Sequence, residues 1–195
     1  MNRRELVLTT AALLAASVSP AAAGRRFDFR AVFGAPPRSA HYAGKRIVAF
    51  ATEEKPGTII VNTRERALYF VLGGGKAIRY GVGVGRAGFE WSGVARVGAK
   101  KPWPEWRPPK EMIARELKQY GRRLPDVMAG GPDNPLGARA IYLFQGKRDT
   151  MYRIHGTNQP QSIGRAVSSG CIRMLNEEVI DLYERVRVGA KVIVM

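Results

Sequence analysis

The residues best suited to chemistry lie close together in the last quarter of the chain. Cys171 is the only cysteine, and it follows His155, one of two histidines, by sixteen positions. A thiol becomes nucleophilic when a base removes its proton, and imidazole is the usual base. Gly156 and Gly170 flank the pair, and glycine leaves room for a substrate and lets backbone N–H groups turn inward. Such N–H groups stabilise the oxyanion of acyl transfer, so the pattern indicates a cysteine acyl-transfer site.

A structural interpretation of the same pair stands beside the catalytic one. A single cysteine is more often a small buried apolar residue than a nucleophile. The surroundings of Cys171 favour catalysis, because Ser168, Ser169 and a glycine form a small polar turn that is a poor place to bury a thiol. Arg173 would share a strand face with Cys171. A guanidinium there lowers the pKa of a thiol and binds a carboxylate.

Composition limits the classes of partner. The chain has 195 residues, enough for one domain with a substantial core, and its net charge is +16. A basic protein suits a polyanion. We see no helix-turn-helix, RNA-binding or zinc-finger motif, so we predict an anionic cell-wall polymer and no nucleic acid. One cysteine and two distant histidines predict no metal site. The G-V-G-V-G run at 81–85 lacks the helix of a phosphate-binding loop, so we predict no cofactor.

Residues 1–23 have the pattern of an export signal. Arg3 and Arg4 precede an uncharged, mostly apolar run over 6–18, and three alanines end the segment as an A-x-A cleavage site. The run is too short for a transmembrane span. We predict an exported protein in the periplasm, associated with the cell wall, that uses the general or the twin-arginine route. Residues 24–54 would form an arm or linker, and residues 55–195 the catalytic domain.

The rest of the chain predicts a mainly β protein. Strands are predicted at 57–62 and 67–72 as a hairpin, and at 47–50, 77–84, 94–99, 140–144, 152–155 and 191–195. Ile78, Tyr80, Val82 and Val84 would share one face, and the strand at 152–155 would deliver His155 at its end. Many short strands with Gly and Pro turns indicate a β-sandwich of mixed sheets.

Two helices are predicted. A short helix at 110–120 would end at Gly121. The prominent helix follows the cysteine loop, with Asn176 as N-cap, two glutamates in its first turn and Gly189 at its end. Its apolar stripe consists of Val179, Leu182, Tyr183 and Val186.

The motifs around the cysteine resemble those of a known family. H-G-T-N at 155–158 followed by S-S-G-C-I-R-M at 168–174 is similar to the signature of the YkuD-type L,D-transpeptidases, the ErfK/YbiS/YcfS/YnhG group. Three other segments are similar to segments of that family: P-G-T-I-I-V-N at 56–62, K-P-W-P-E-W-R-P-P at 101–109 and M-A-G-G-P-D-N-P-L-G at 128–137. The resemblance covers about residues 55–194. Many members carry a second histidine where Ser169 stands, and S-S-G-C is a common variant.

The resemblance implies a reaction and a substrate. Cys171 would attack the bond between meso-diaminopimelate and D-alanine in a tetrapeptide stem of peptidoglycan. His155 would act as general acid and base, oriented by the backbone carbonyl of Gly156, and the oxyanion would lie on the N–H groups of Gly170 and Cys171. A stem amine as acceptor would give a cross-link, a lysine of an outer-membrane lipoprotein an anchor, and water a trimming carboxypeptidase. The family also implies acylation of the cysteine by carbapenems.

Substrate contacts and rival functions remain open at this stage. Arg173 would bind a substrate carboxylate or support the loop, and Ser168 and Ser169 would hold the loop beside the substrate by hydrogen bonds. Trp103 and Trp106 would form a wall of the substrate groove or pack a rigid loop on the sheet. The rivals are another cysteine hydrolase, a sortase-like transferase, and a noncatalytic wall-binding module that would tolerate loss of the thiol.

Overall fold

The computed structural model describes Tyr42 and residues 44–195. The predicted export signal and most of the predicted arm lie outside the described residues. The elements, in chain order, are β1 (Arg46–Ala49), β2 (Ile59–Asn62), β3 (Ala67–Gly73), β4 (Lys76–Gly81), β5 (Val84–Gly85), β6 (Gly93–Pro102), α1 (Lys110–Tyr120), β7 (Arg139–Gln145), β8 (Arg148–His155), a 3-10 turn (Pro160–Ser162), β9 (Ala166–Ser168), β10 (Ile172–Arg173), α2 (Asn176–Arg185) and β11 (Lys191–Val194).

One long mixed sheet dominates the described part of the chain. Its strand order is β1-β4-β3-β2-β11-β6-β7-β8-β10, and β5 and β9 form a separate parallel pair. The β2–β11 and β8–β10 pairs are parallel, and the other pairs of the long sheet are antiparallel. The predicted hairpin is present as β2 and β3. The prediction of a mainly β fold with mixed pairing is confirmed.

The sheet encloses a single main core. Alternate residues of its strands converge there, from β4 near one edge to β10 at the other, so the sheet bends round on itself as in a sandwich. Four of the converging side chains are the predicted set of Ile78, Tyr80, Val82 and Val84, which is confirmed. Helix α2 covers this core with Val179, Leu182 and Val186, and Tyr183 packs at its margin. The predicted apolar stripe is therefore confirmed.

Helix α1 has the bounds that the sequence predicts. Gly121 ends it in the left-handed conformation, with φ 63°. The helix lies in an insert between β6 and β7, where Trp106 and Leu124 form a small core of their own with Met112, Ile113, Met128 and Leu136. Neither helix in the described part of the chain has the length and apolar character that a membrane span requires.

Both predicted ends of α2 are wrong. Leu175 occupies the N-cap position, and Asn176 is the first helical residue. Its Oδ1 accepts the N–H of Ala138 at 2.9 Å, so a tertiary contact uses the oxygen that would have capped the helix. The helix ends at Arg185, four residues before Gly189, where Val186 is already extended. Lys100 from β6 donates to the carbonyl of Tyr183 in the last turn and to that of Val186 directly after the helix.

Strand β1 lies inside the segment that the sequence assigns to an arm or linker. It pairs with β4 at the edge of the long sheet. Two contacts attach the neighbouring residues to the domain: the ring of Phe50 stacks on Tyr69 at 4.5 Å, and Lys45 forms an ion pair with Asp181 at 2.7 Å. The sheet therefore begins about ten residues before the predicted start of the catalytic domain.

Candidate active site

The pairing of β8 with β10 brings the predicted catalytic residues to one edge of the sheet. Arg173 lies opposite His155 in the parallel register, and the Met174 N–H donates to the His155 carbonyl at 2.8 Å. Cys171 directly precedes β10, so its position beside the end of β8 follows from the same register. The cysteine and the histidine, sixteen residues apart in sequence, are thus neighbours in the fold.

The histidine is buried and held by a backbone carbonyl. His155 Nδ1 lies 2.5 Å from the carbonyl oxygen of Gly156, which makes Nδ1 the protonated nitrogen and leaves Nε2 to accept a proton. Burial and then the charge of Arg173 lower the pKa of His155 to about 3, against the opposing effects of the carbonyls of Gly156 and Leu136. The imidazole is therefore neutral at physiological pH.

The loop that carries this carbonyl is tightly packed. A Cβ on Gly156 would lie 2.2 Å from Asn176 Oδ1, and one on Gly137 would meet the same oxygen at 2.2 Å. The two glycines therefore let three segments approach one another closely: the insert between β6 and β7, the loop that follows His155 (here the histidine loop) and α2. Asn158 adds a further tie, because its Nδ2 donates to the Asp133 carbonyl at 2.7 Å.

The cysteine is half-buried, and its resting form is the thiol. Its Sγ lies 4.0 Å from the Met151 carbonyl oxygen, within the range of a weak S–H hydrogen bond. Burial raises the pKa of the Cys171 thiol, and the N–H of Arg153 and the charges of Arg153 and Arg173 oppose that rise. The net pKa lies above the ordinary value, so the resting site pairs a neutral thiol with a neutral imidazole.

Ser168 organises the loop before the cysteine. Its hydroxyl donates to the Cys171 carbonyl at 2.6 Å and accepts the Gly170 N–H at 3.1 Å. Gly170 has φ 108°, and a Cβ there would lie 2.6 Å from the Tyr152 ring, so only glycine fits. Of the two predicted oxyanion donors, the Gly170 N–H is directed at a hydroxyl. The Cys171 N–H has no acceptor among the described residues. Ser169 is exposed.

Arg173 is a half-buried cation that a side-chain amide holds in place. Its Nη1 donates to Gln159 Oε1 at 3.2 Å, and its backbone N–H donates to the Gly83 carbonyl at 2.8 Å. Burial lowers the pKa of the guanidinium. No carboxylate of the described residues forms an ion pair with it. A half-buried guanidinium in this situation can bind an anion, and a carboxylate matches its geometry.

Aromatic residues near the site differ from the two that the sequence suggests. Trp106 is buried in the small core of the insert, which fits the packing alternative, while Trp103 is 47% exposed. The rings of Trp91 and Tyr152 stack at 5.0 Å, and the Tyr152 ring lies against Gly170. Sequence reasoning missed this pair and Gln159, because each reaches the site through a long-range contact.

The described residues contain no group of three or more His, Cys, Asp or Glu side chains arranged to bind a metal ion.

Comparisons with known proteins agree on the family. The family model of the L,D-transpeptidase catalytic domain, YkuD, matches residues 56–194. The probable L,D-transpeptidase YbiS of Escherichia coli K12 is 38% identical over 139 residues, which cover 69% of this chain and 43% of that protein. This chain therefore spans less than half the length of that curated relative.

Solved structures show the same fold. A Brucella melitensis structure, described as a probable carnitine operon oxidoreductase, is 52% identical with a TM-score of 0.52 and covers 77% of this chain and 92% of its own. A mutant L,D-transpeptidase from Enterococcus faecium matches at 17% identity with a TM-score of 0.53, over 72% of this chain and 50% of its own. The family match over most of the sequence settles the classification: the chain belongs to the YkuD family of L,D-transpeptidase catalytic domains.

Proposed function

We propose that the protein is a peptidoglycan L,D-transpeptidase with Cys171 as its nucleophile. The observation that carries this proposal is the β8–β10 register, which brings Cys171 to the strand that ends at His155, while the Gly156 carbonyl accepts from Nδ1 and leaves Nε2 as the base. Family membership supports the same reaction. The donor substrate is the tetrapeptide stem, cleaved between meso-diaminopimelate and D-alanine.

The reaction proceeds in two acyl transfers. His155 takes the thiol proton as the sulfur attacks the carbonyl carbon, and it returns the proton to the departing amine of D-alanine. The acyl group then remains on Cys171 as a thioester. An acceptor amine attacks the thioester, His155 takes a proton from that amine, and the thiol is restored.

The remaining site residues bind and orient. The Cys171 N–H stabilises the oxyanion, and the Gly170 N–H joins it if the bond to Ser168 opens. Arg173 binds a stem carboxylate, since it is a half-buried cation held by Gln159 and carries no ion pair among the described residues. Ser168 braces the loop, and the exposed Ser169 borders the substrate.

The tryptophans of the insert divide between the two predicted roles. Trp103 contributes to the wall of the groove because nearly half of it is exposed. Trp106 supports the insert by packing with Leu124. A Trp103→Ala variant would therefore weaken substrate binding at little cost in stability, and Trp106→Ala would mainly lower stability.

The acceptor and the compartment complete the proposal. One candidate acceptor is an amine of a second stem, which yields a wall cross-link. A lysine of an outer-membrane lipoprotein and water are the other candidates, the latter giving a trimming carboxypeptidase. Export to the periplasm, with cleavage after residue 23, would put the enzyme beside its substrate. N-terminal sequencing of the exported protein tests the position of that cleavage.

The oxidoreductase description of the Brucella melitensis structure finds no support in this site. The glycine-rich run at 81–85 ends as the two-residue strand β5, and the next element is strand β6 and not a helix. It therefore lacks the helix N-terminus on which a dinucleotide pyrophosphate binds.

Mass spectrometry tests the proposed reaction. Purified protein would be incubated with tetrapeptide muropeptides beside a Cys171→Ala variant whose folding is checked by its thermal melt. Loss of D-alanine with a cross-linked dimer, absent from the variant, is the expected result. Loss of D-alanine alone would indicate trimming or an unsupplied acceptor, to be tested with a lipoprotein-derived lysine peptide. If this protein leaves unaltered a substrate that another family member processes, the proposal is refuted and a wall-binding module is favoured.

A further inference from the structure

Strand β8 carries a bulge directly beside the thiol. Between two consecutive paired positions, β7 has one residue whereas β8 has three, residues 150–152. We call residues 150–152 the β8 bulge. Its central residue, Met151, has φ 64°, a left-handed conformation that is uncommon for a residue with a side chain. Bulges of this kind re-aim backbone and side chains next to active sites.

Asp149 directly precedes the bulge and bonds both to its central residue and to the residue that follows it. Its Oδ1 accepts the Met151 N–H at 2.8 Å, and its two oxygens accept both terminal nitrogens of Arg153 at 2.7 and 2.9 Å. The guanidinium also lies over the Tyr142 ring, with Cζ 4.3 Å from the ring centre. Although burial acts to raise it, the hydrogen bonds from Arg153 and Met151 hold the pKa of Asp149 below its ordinary value. The clamp is therefore ionised at neutral pH.

A second brace fixes the bulge to the neighbouring strand. Thr150 Oγ1 donates to the Leu143 carbonyl at 2.7 Å and lies 3.2 Å from the Tyr152 nitrogen, whose N–H it accepts. The Met151 side chain is 72% exposed, so packing of that side chain does not explain its conformation. The bulge therefore orients backbone groups and not the Met151 side chain.

The oriented backbone groups meet the catalytic sulfur. The Met151 carbonyl faces Cys171 Sγ at 4.0 Å, where it accepts from the thiol. A hydrogen bond from the Arg153 N–H lowers the pKa of the thiol and so favours the thiolate, and the Tyr152 ring packs against Gly170. One short segment thus contacts the cysteine in both of its protonation states.

We propose that Asp149 is a positioning residue for Cys171. It clamps the β8 bulge so that one backbone carbonyl and one backbone N–H stay on the sulfur. This inference rests on the proposed role of the cysteine as nucleophile. The charged and titratable groups that face the thiol are Arg153 and His155 from β8 and Arg173 from β10, and Asp149 acts on the thiol through the first of these.

Alkylation by iodoacetamide across pH tests the proposal, because it reports the thiolate without any turnover of peptidoglycan. In Asp149→Asn the clamp is weakened and both backbone contacts with the sulfur loosen. The Met151 carbonyl, at 4.0 Å, is the weaker contact, so loss of the Arg153 N–H decides the direction and the midpoint of the rate profile moves to higher pH. The expected loss is about tenfold in alkylation rate at neutral pH, which corresponds to one pKa unit. A purely electrostatic role predicts the opposite direction, since removal of a negative charge near the site favours the thiolate.

Two further variants keep the test decisive. Thr150→Val removes the second brace without changing any charge, and it should shift the profile in the same direction. Asp181→Asn breaks an equivalent aspartate–arginine pair, with Arg185 of α2 at 3.0 Å, and should lower stability without moving the profile. If Asp149→Asn does not fold, the threonine variant alone decides.

The outcomes separate this inference from the proposed function. Upward shifts in Asp149→Asn and Thr150→Val, with no shift in Asp181→Asn, would support the positioning role. An unchanged or downward profile in either bulge variant would overturn it. If the wild type releases no D-alanine, the proposed function fails, and the alkylation profiles still decide whether Asp149 positions the thiol.

Discussion

Substitution of Gly156 by alanine tests whether the close packing of the histidine loop sets the activity. A Cβ at this position would lie 2.2 Å from Asn176 Oδ1 and 3.0 Å from the Ala138 nitrogen. Ordinary contact begins at 3.4 Å, so the loop or the asparagine must move by roughly 1 Å. The same residue carries the carbonyl that holds His155 Nδ1, so movement of the loop turns the imidazole.

The expected size of the effect differs between stability and activity. Overpacking of a well-packed site costs about 1–3 kcal/mol, which lowers the melting temperature of a chain of this length by about 2–12 °C. A displacement of about 1 Å in a catalytic group costs on the order of 100-fold in rate. Gly156→Ala should therefore remain folded but release D-alanine about 100 times more slowly than the wild type.

The assay needs a control and a rescue. Gly131 lies in the insert between β6 and β7, which contacts the loop after His155, and a Cβ there would meet nothing within 4 Å, so Gly131→Ala should keep full activity. Asn176→Ala removes the clashing oxygen, so the double variant with Gly156→Ala should be more active than the single variant. Activity within about twofold of wild type in Gly156→Ala would refute the argument, because the carbonyl would then hold His155 equally well in a displaced loop.

Three other predictions concern charge. Burial raises the pKa of Cys171, and His155 stays neutral down to about pH 3, so the wild-type alkylation rate should climb steadily with pH through neutrality. A plateau of the rate in acid would indicate a resting thiolate–imidazolium ion pair instead. Burial also raises the pKa of Glu178, so ionisation of this carboxyl costs stability as pH rises. Glu178→Gln removes that cost and should raise the melting temperature more at pH 8 than at pH 4. An equal change at both pH values would contradict this. Lys100→Met should cost about 1–3 kcal/mol in thermal melts by leaving the last carbonyls of α2 without a donor, whereas Lys101→Met, at an exposed position, should cost little.

Local patterns in the sequence predict most elements of the fold. Residues 59–61 are β-branched, residues 67–72 form a short apolar run, and the turn between them is polar, so the hairpin could be predicted from neighbouring residues alone. Helix α1 matches its prediction because Pro109 precedes it and Gly121 ends it, both of which act within one turn. The order and spacing of H-G-T-N and S-S-G-C predict that His155 and Cys171 form a pair, and the β8–β10 register explains how the two segments come together.

The errors and omissions share a physical cause. Asn176 has the side chain of an N-cap, yet the Ala138 N–H, 38 residues earlier in the chain, engages its oxygen. Gly189 has the conformational freedom of a helix end, but α2 ends earlier, at Arg185, where Lys100 of β6 donates to the Val186 carbonyl. Asp149 reads as an ordinary surface acid in the sequence, because the bulge that it clamps exists only where β8 pairs with β7. Each depends on contacts that no local window contains.

For the proposed mechanism, the electrostatics of the site imply that a bound substrate, and not the resting site, makes the thiol reactive. The Arg173 cation lowers the pKa of both Cys171 and His155, so it does little to change the difference between them, and that difference governs the proton transfer. Burial raises the first pKa and lowers the second, which opposes an ion pair from both sides. The proton must therefore move together with attack on a bound carbonyl. Because oxidation and alkylation of cysteine follow thiolate character, the same arrangement protects the free thiol between turnovers.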